Sequence, residues 1–320
     1  MSISKLKGVL FGSISKVDGV VKGDISEING VSAPSSFSNT KSLITQGTND
    51  YIDFNLSSLD LSSFGQQGSV STWLKVGSTA NTATTFFWSI YDFDATAQDR
   101  IELQFFNTSG NNVFALNGVF RNKEGSSYPA RICNAKTGSS HHGKPWNRIA
   151  SDYGDFGSNS DSVYNAHNMR DTWMHVVWTW HNSATYTYDG TTYTGRQRIY
   201  VNGTLRNEGS SSFASHNGTG TAVGLAGVDS ATTLDRIRIG ARFNANNDYQ
   251  GLTDEVAMFN GEINQSTVTS IYNSGVPGDI SSTSGLIAWF RFEDNTNESV
   301  SGSNLGSLQG NATYSSTVPS

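Results

Sequence analysis

Side chains suited to ligand binding are concentrated in a polar segment between residues 122 and 171. The segment has no clear strand or helix periodicity, and it is longer than a usual loop, which favours a functional or irregular region. The predicted glycan-binding residues are His142, Trp146, Arg148 and Tyr153, because aromatic rings stack on the apolar face of a pyranose while polar donors fix its hydroxyl groups. The alternative is that these aromatic side chains only pin the loop to the rest of the protein.

The carboxylates of the chain lack the spacing of a glycoside hydrolase. Such enzymes need two carboxylates roughly 5–9 Å apart across the sugar, and alternate residues of one strand would place both on one face. Asp254 and Glu255 are adjacent, and Asp99 and Glu102 are three residues apart, so neither pair shares a strand face. The sequence also contains no HExxH, GxSxG or phosphate-loop motif. We therefore expect a protein that is not an enzyme.

Two other groups of polar residues resemble metal ligands only superficially. Asp92, Asp94 and Asp99 cluster in one stretch, but their spacing differs from that of an EF-hand loop, and a solvated turn is the simpler interpretation. His141 and His142 are adjacent, so in an extended segment their side chains point in opposite directions. Neither group predicts a metal site.

The composition indicates a folded protein rich in strands and polar turns. The chain has 320 residues with 33 Gly and 5 Pro, and its 7 Trp, 12 Tyr and 17 Phe supply material for a core. The net charge of −6 offers no attraction for a polyanion, so we expect no nucleic-acid partner. Cys133 is the only cysteine, which excludes an internal disulfide and a cysteine metal cluster.

Hydrophobic runs are too short for a membrane span or a secretion signal. No apolar run approaches the roughly 18 residues that a span needs, and Val9-Leu10-Phe11 is too short for a signal-peptide core. We expect the protein to be made in a cytoplasm and to reach its location without a signal peptide.

The first 31 residues contain three copies of one pattern at a period of eleven, beginning at Ile3, Ile14 and Ile25. Asp-Gly and Asn-Gly within the copies are strong signals for tight turns, so each copy predicts a strand, a turn and a second strand. About thirty residues cannot form a stable core alone, so we expect a docking segment buried against a partner chain or a copy of itself. A small sheet folded back on its own protein is the alternative. The apolar docking residues are Ile3, Leu6, Val9, Ile14, Val17, Val20, Ile25, Ile28 and Val31.

Periodicity places strands and one helix in the rest of the chain. Met174 to His181 and Asp254 to Asn260 alternate with a period of two, which predicts strands. Val268, Ile271 and Tyr272 follow at helical spacing, with Asn264 or Ser266 as the cap and a stop at Gly275 before Pro277.

Five stretches in order resemble the laminin-G-like jelly rolls of the concanavalin A-like lectin and glucanase family. They are KSLITQGTNDYIDFNL, SVSTWLKVG, TWMHVVWTWHN, RIYVNGTL and GLTDEVAMFNGEINQSTVTSIYNSG, between Lys41 and Gly275. The resemblance implies an all-β protein: an antiparallel β-sandwich (jelly roll) with one short C-terminal helix and a small N-terminal β-repeat segment. The expected organisation is a repeat segment at residues 1–33, a linker at 34–40 and a jelly roll at 41–320, with an insertion at 122–171 and a C-terminal strand at 285–293.

Some relatives hold a structural calcium ion, and the resemblance assigns Asp254 and Asp294 as its ligands here. The chain departs from the family at Ser299 to Gly302, where an Asp often precedes Ser-Gly. Calcium takes about six to eight oxygens, so two matched carboxylates leave the site open, and no cofactor is required.

The fold alone does not specify the function, because this fold carries lectins, enzymes and scaffolds alike. The repeats resemble N-terminal segments of bacteriophage virion proteins that carry such domains. The main hypothesis is therefore a non-enzymatic virion structural and adhesion protein, docked to other virion proteins or copies of itself, whose jelly roll contacts surface glycan. The alternative is a free carbohydrate-binding module or lectin, and a glycoside hydrolase ranks last.

Overall fold

The computed structural model describes residues 5–6, 9–10, 16–17, 20–21, 27–28, 31–32, 37–77, 85–93, 100–107, 114–121, 130–133, 146–148, 171–188, 191–209, 234–246 and 248–320. The chain divides into two compact units, Met1–Asn39 and Thr40–Ser320. Among the described residues, no helix is both long enough and apolar enough to cross a lipid bilayer.

The N-terminal unit contains three separate antiparallel pairs of two-residue strands. The strands are β1 (Lys5–Leu6), β2 (Val9–Leu10), β3 (Lys16–Val17), β4 (Val20–Val21), β5 (Glu27–Ile28) and β6 (Val31–Ser32). Within the pairs, Leu6 lies opposite Val9, Val17 opposite Val20, and Ile28 opposite Val31. Each copy of the eleven-residue pattern thus contains one antiparallel strand pair, with two residues of sequence between its strands.

The described residues of the second unit form two antiparallel sheets and a single α-helix near the C-terminal end, which confirms the predicted β-sandwich class. Its described strands are β7 (Ser42–Thr45), β8 (Tyr51–Asn55), β9 (Gln67–Val76), β10 (Thr85–Tyr91), β11 (Arg100–Asn107), β12 (Phe114–Arg121), β13 (Ala130–Cys133), β14 (Trp146–Arg148), β15 (Trp173–Tyr188), β16 (Thr191–Val201), β17 (Thr204–Gly209), β18 (Arg236–Ile239), β19 (Gly251–Phe259), β20 (Leu286–Phe290), β21 (Gly306–Gln309) and β22 (Thr313–Ser315). The helix is α1 (Gln265–Tyr272).

The strand order interleaves distant parts of the chain. The seven-stranded sheet has the order β13-β12-β11-β10-β18-β8-β21, and the nine-stranded sheet has the order β14-β17-β16-β15-β9-β19-β7-β22, with β20 also paired to β19. The C-terminal tail supplies an edge strand to each sheet, β21 and β22, in addition to the strand predicted at residues 285–293.

The core between the sheets follows the predicted alternation. Val176, Trp178 and Trp180 belong to the buried core, whereas His175 and Thr179 lie on the other face of β15. Apolar side chains on one face of a strand remove their surface from water, and this sets the register of the whole strand.

Glycines make room for the largest rings of the core. A Cβ at Gly118 would lie 2.6 Å from the Trp178 ring, and a Cβ at Gly68 would lie 2.7 Å from the Trp180 ring. Glycines in β12 of the facing sheet and in β9 beside β15 therefore let the two indoles pack at normal interior density.

The helix begins where the sequence predicts and ends earlier. The Asn264 side chain accepts a hydrogen bond from the Thr267 amide at 3.0 Å, so Asn264 is the N-cap. The α-helix ends at Tyr272 rather than near Gly275, because Asn273 adopts a left-handed conformation (φ 46°) and forms the C-cap.

The segment 122–171 is not wholly without strands, which corrects the sequence-based description. It contains β13 and β14, which pair with β12 and β17. Strands of three or four residues are too short to show an alternation in the sequence.

Candidate functional site

The structure describes two of the four predicted glycan-binding residues, and both lie in a strand. Trp146 and Arg148 belong to β14, where they pair with Gly209 and Asn207 of β17. His142 and Tyr153 lie outside the described residues. The predicted loop site therefore stays a prediction.

The predicted docking residues fall in the N-terminal strand pairs or outside the described residues. Leu6, Val9, Val17, Val20, Ile28 and Val31 belong to the strand pairs, and Ile3, Ile14 and Ile25 are outside the described part of the chain. Docking through these residues also stays a prediction.

The two candidate calcium ligands have different surroundings. Asp254 is fully buried, and its Oδ1 accepts the Glu255 amide at 2.9 Å. Asp294 is mostly exposed, and its carboxylate lies 3.4 Å from Lys41 Nζ. Among the described residues no group of three or more acidic, histidine or cysteine side chains could hold a metal ion. Two carboxylates fall short of the six to eight oxygens that calcium takes.

Glu298 anchors the turn that follows β20. Its buried carboxylate accepts backbone N–H groups from Trp289 (2.8 Å), Val300 (2.6 Å) and Ser301 (2.7 Å). Backbone N–H groups occupy three of the roughly four acceptor sites of this carboxylate, so this glutamate organises the turn at residues 298–303.

An open cavity of about 480 Å³ lies beside the last residues of β7 and β9 and the first residues of β19. We call it the rim pocket. Its floor includes Ile44 and Leu252, which are cross-strand partners. Its polar lining consists of Thr45, Gln46, Lys75, Asp171, Gln250, Ser315 and Thr317.

Backbone contacts hold the rim pocket in shape. The Gly77 amide donates to the Gln250 carbonyl at 2.9 Å, and the Asp171 amide donates to the Val76 carbonyl at 2.8 Å. A Cβ at Gly251 would lie 2.3 Å from the Lys75 carbonyl oxygen, so only glycine allows these strands to approach so closely. These contacts tie Gly77, Asp171 and Gln250 to the adjoining ends of β9 and β19.

The described lining of the rim pocket includes one cation, Lys75, and one anion, Asp171. Within the described part of the chain, no ion pair joins Lys75 to Asp171, although both line the cavity. Asp171 also has a left-handed backbone conformation, with φ 58°. Such outliers concentrate at ligand sites, and the polar groups here offer both donors and acceptors to a ligand.

An aromatic residue missed by the sequence analysis lies beside the pocket. Trp173 of β15 is the cross-strand partner of Lys75. Because Met174 belongs to the core, Trp173 lies on the outer face of the sheet, with Lys75. The periodicity of β15 could have placed Trp173 on this face, but it could not have shown which residues lie next to it.

A second polar region covers the outer face of the seven-stranded sheet. Arg238 donates to both Asp53 oxygens at 2.8 and 2.7 Å, and its guanidinium lies 4.0 Å from the centre of the Tyr51 ring. Nearby, Glu102 is fully buried and lies 2.9 Å from Arg100 Nε. These charges satisfy one another and stabilise the face of the sheet.

Asp53 and Glu102 on this face do not have the separation of the carboxylate pair of a glycoside hydrolase. Asp53, Arg238, Ser89 and Glu102 follow one another across β8, β18, β10 and β11. Three strand spacings separate the two acids, about 14 Å, which is beyond the separation that either hydrolytic mechanism uses.

A serine and a histidine also meet, buried between the nine-stranded sheet and α1. Ser71 Oγ lies 2.7 Å from His175 Nε2, and both residues are buried beneath Tyr272 of α1. Burial lowers the pKa of His175 to about 3, so the imidazole is a poor base near neutrality. The pair is a packing element of the outer face of the nine-stranded sheet.

Comparison with known proteins does not assign the chain to a family. No protein-family model and no curated protein matches it. The similar solved structures include a Bacteroides ovatus protein proposed to bind carbohydrate (11% identity, 91% of this chain and 66% of that chain, TM-score 0.43). They also include a heptameric SAP-like pentraxin from Limulus polyphemus (11% identity, 73% and 82%, TM-score 0.41) and the CBM40 of a Ruminococcus gnavus sialidase (10% identity, 74% and 100%, TM-score 0.41). Such loose similarity leaves the function to be argued from the site.

Proposed function

We propose that the protein is a non-catalytic carbohydrate-binding protein and that the rim pocket holds the sugar. The observation that carries the proposal is the lining of this pocket, which combines two amides, three hydroxyls, one cation and one anion above a small apolar floor. Its volume of about 480 Å³ lies in the usual range for small-molecule sites.

This combination suits a sugar because each sugar hydroxyl both donates and accepts hydrogen bonds. Gln46 and Gln250 carry an acceptor and two donors each, and Lys75 and Asp171 add a charged donor and a charged acceptor. Ile44 and Leu252 offer an apolar surface to the C–H face of the ring. Trp173, beside Lys75, provides an aromatic surface next to the cavity.

The lining also favours binding without hydrolysis. Among the described lining residues, Asp171 is the one carboxylate, and a glycoside hydrolase needs two.

A glycan array followed by calorimetry tests the proposal. The purified protein should bind at least one neutral oligosaccharide, and Gln250→Ala and Lys75→Met should each weaken that binding about tenfold, because hydrogen bonds to charged or buried groups contribute roughly 1.5 kcal/mol. Lys41→Met is the matched control for Lys75→Met, since Lys41 lies outside the pocket and pairs with Asp294. Failure to bind any glycan, or equal effects of the two lysine substitutions, would count against the pocket.

A second role is favoured by the N-terminal unit. We infer that the three strand pairs at residues 5–32 dock the protein to an assembly, and a virion is the assembly that the sequence resemblance suggests. Isolated two-stranded hairpins are marginally stable in water, and the apolar pairs Leu6–Val9, Val17–Val20 and Ile28–Val31 recur in all three. Burial of these side chains against another chain would supply the missing stability.

Light scattering tests the docking role. The full chain should form oligomers or bind a larger assembly, and a chain that begins at residue 34 should be a monomer with unchanged glycan binding. Two monomers of equal stability would mean that the repeats fold back on their own protein.

A further inference from the structure

We propose that Asp171 sets the charge selectivity of the rim pocket, so that the pocket accepts neutral sugars with neighbouring hydroxyl groups and rejects acidic ones. This inference rests on the proposed carbohydrate-binding function and specifies the class of ligand.

Asp171 is held by the sheet although it precedes the first residue of β15. Its amide donates to the Val76 carbonyl at 2.8 Å, and two residues later Trp173 pairs with Lys75. Its left-handed backbone conformation, with a φ of 58°, changes the direction of the chain just before β15 begins. Aspartate and asparagine tolerate this conformation better than most residues, so the backbone is held at the cavity at modest cost, and the exposed side chain of Asp171 belongs to the lining.

The carboxylate has a specific counterpart in the pocket. Lys75 and Asp171 both line the cavity, and no ion pair joins them among the described residues. A sugar with two neighbouring hydroxyls can accept a hydrogen bond from the Lys75 ammonium and donate one to the Asp171 carboxylate. Both bonds are charge-assisted, and such bonds are stronger than neutral ones. A neutral diol therefore satisfies both charged groups at once.

A sugar acid does not satisfy them in this way. Its carboxylate would be attracted by Lys75 and repelled by Asp171, so the pocket offers it no net charge. The chain as a whole has a net charge of −6, which adds weak long-range repulsion. Removing the Asp171 charge should therefore raise the ratio of acidic-sugar to neutral-sugar binding about fivefold. A change of this size is the effect expected for one pair of like charges in contact near the protein surface.

The experiment measures a ratio rather than an affinity. Binding is recorded on an array of neutral oligosaccharides, each printed beside its uronate-containing counterpart of the same linkage. The acidic-to-neutral binding ratio is compared for the wild-type protein, Asp171→Asn and Asp171→Glu. Asparagine keeps the size and the left-handed backbone preference of aspartate, while glutamate keeps the charge.

Asp60→Asn is the matched control, because it removes one exposed carboxylate outside the pocket and asparagine can still accept the Ser62 amide that Asp60 accepts at 3.1 Å. We expect the ratio to rise about fivefold in Asp171→Asn and to stay near the wild-type value in Asp171→Glu and Asp60→Asn. Thermal melts confirm that each variant is folded.

The outcomes separate this inference from the proposed function. If the wild-type protein binds neutral glycans and Asp171→Asn leaves the ratio unchanged, the selectivity role of Asp171 is wrong while the carbohydrate-binding function stands. A wild-type preference for the uronate forms would also overturn the inference. If no glycan binds, both the function and the inference fail.

Discussion

The imidazole of His175 allows a quantitative prediction about the stability of the protein in acid. The side chain is completely buried, and its Nε2 lies 2.7 Å from Ser71 Oγ. Its ring centre lies 4.9 Å from that of Trp73 and 5.8 Å from that of Tyr272. Because burial penalises the charged form, the pKa falls from 6.5 to about 3.

The sign of the effect follows from the two pKa values. The unfolded chain binds a proton at His175 below pH 6.5, whereas the folded protein does so only below about pH 3. The titration of His175 therefore does not reduce the free energy of unfolding above pH 6.5, and it lowers that free energy progressively as the pH drops below 6.5. The loss is about 1.4 kcal/mol per pH unit, or roughly 2.7 kcal/mol at pH 4.5. That is a large part of a typical folding free energy of about 5–15 kcal/mol.

Urea unfolding at several pH values between 7.5 and 4.5 measures this loss. The comparison is between the wild-type protein and His175→Gln, whose side chain can contact Ser71 but does not titrate. His181→Gln is the control, because His181 lies in the same strand and is only half-buried. The His175 variant should be less stable at pH 7.5 through lost packing, but it should lose about 2.7 kcal/mol less than wild type on acidification.

The reasoning is refuted if His175→Gln loses stability as steeply as the wild-type protein between pH 6.5 and 4.5. It also fails if His181→Gln, rather than His175→Gln, flattens the curve. A direct check is the imidazole nitrogen spectrum, in which His175 should remain neutral at pH 5.

Two further predictions concern charged groups. Arg238→Lys should lower the free energy of unfolding by about 2 kcal/mol, because lysine cannot reproduce the bidentate contact with Asp53 or the stacking on Tyr51. Arg236→Lys, at a more exposed guanidinium, should lower it by less. Equal losses of the two variants in urea unfolding would contradict this account. Calcium added after chelation should leave the melting temperature unchanged, because Asp294 already faces Lys41 and two carboxylates are too few for the ion. A calcium-dependent rise in melting temperature that Asp294→Asn abolishes would instead establish the calcium site.

Local patterns were enough to predict much of the sandwich. Val176, Trp178 and Trp180 alternate with Val177, Thr179 and His181 and enter the core, and Ile237 and Ile239, on either side of Arg238, are also buried. The two-residue turn at Asn202-Gly203 has positive φ at both positions, as the residue types predict. These features depend on neighbours within a few residues, so the sequence determines them directly.

The short and strained elements escaped prediction because tertiary contacts form them. The strand β14 exists by pairing with β17, and the edge strands β21 and β22 exist by pairing with β8 and β7. Glu255 has a left-handed φ of 49° at a bulge in β19. Nothing in the adjacent sequence specifies a partner that is distant in the chain, and long-range pairing overrides weak local preference.

The sequence by itself determined the all-β class, the alternation of the central strands, the capped helix and the repeated hairpins, because each follows from the conformational preferences and polarity of residues close in the chain. Only the tertiary structure decided where the candidate site lies. Lys75, Asp171, Gln250 and Ser315 come from four separate parts of the sequence, and the registers of β7, β9, β15, β19 and β22 bring them to one cavity. Register is set by burial of the whole core, so the residues that line the pocket become neighbours only once the two sheets have packed.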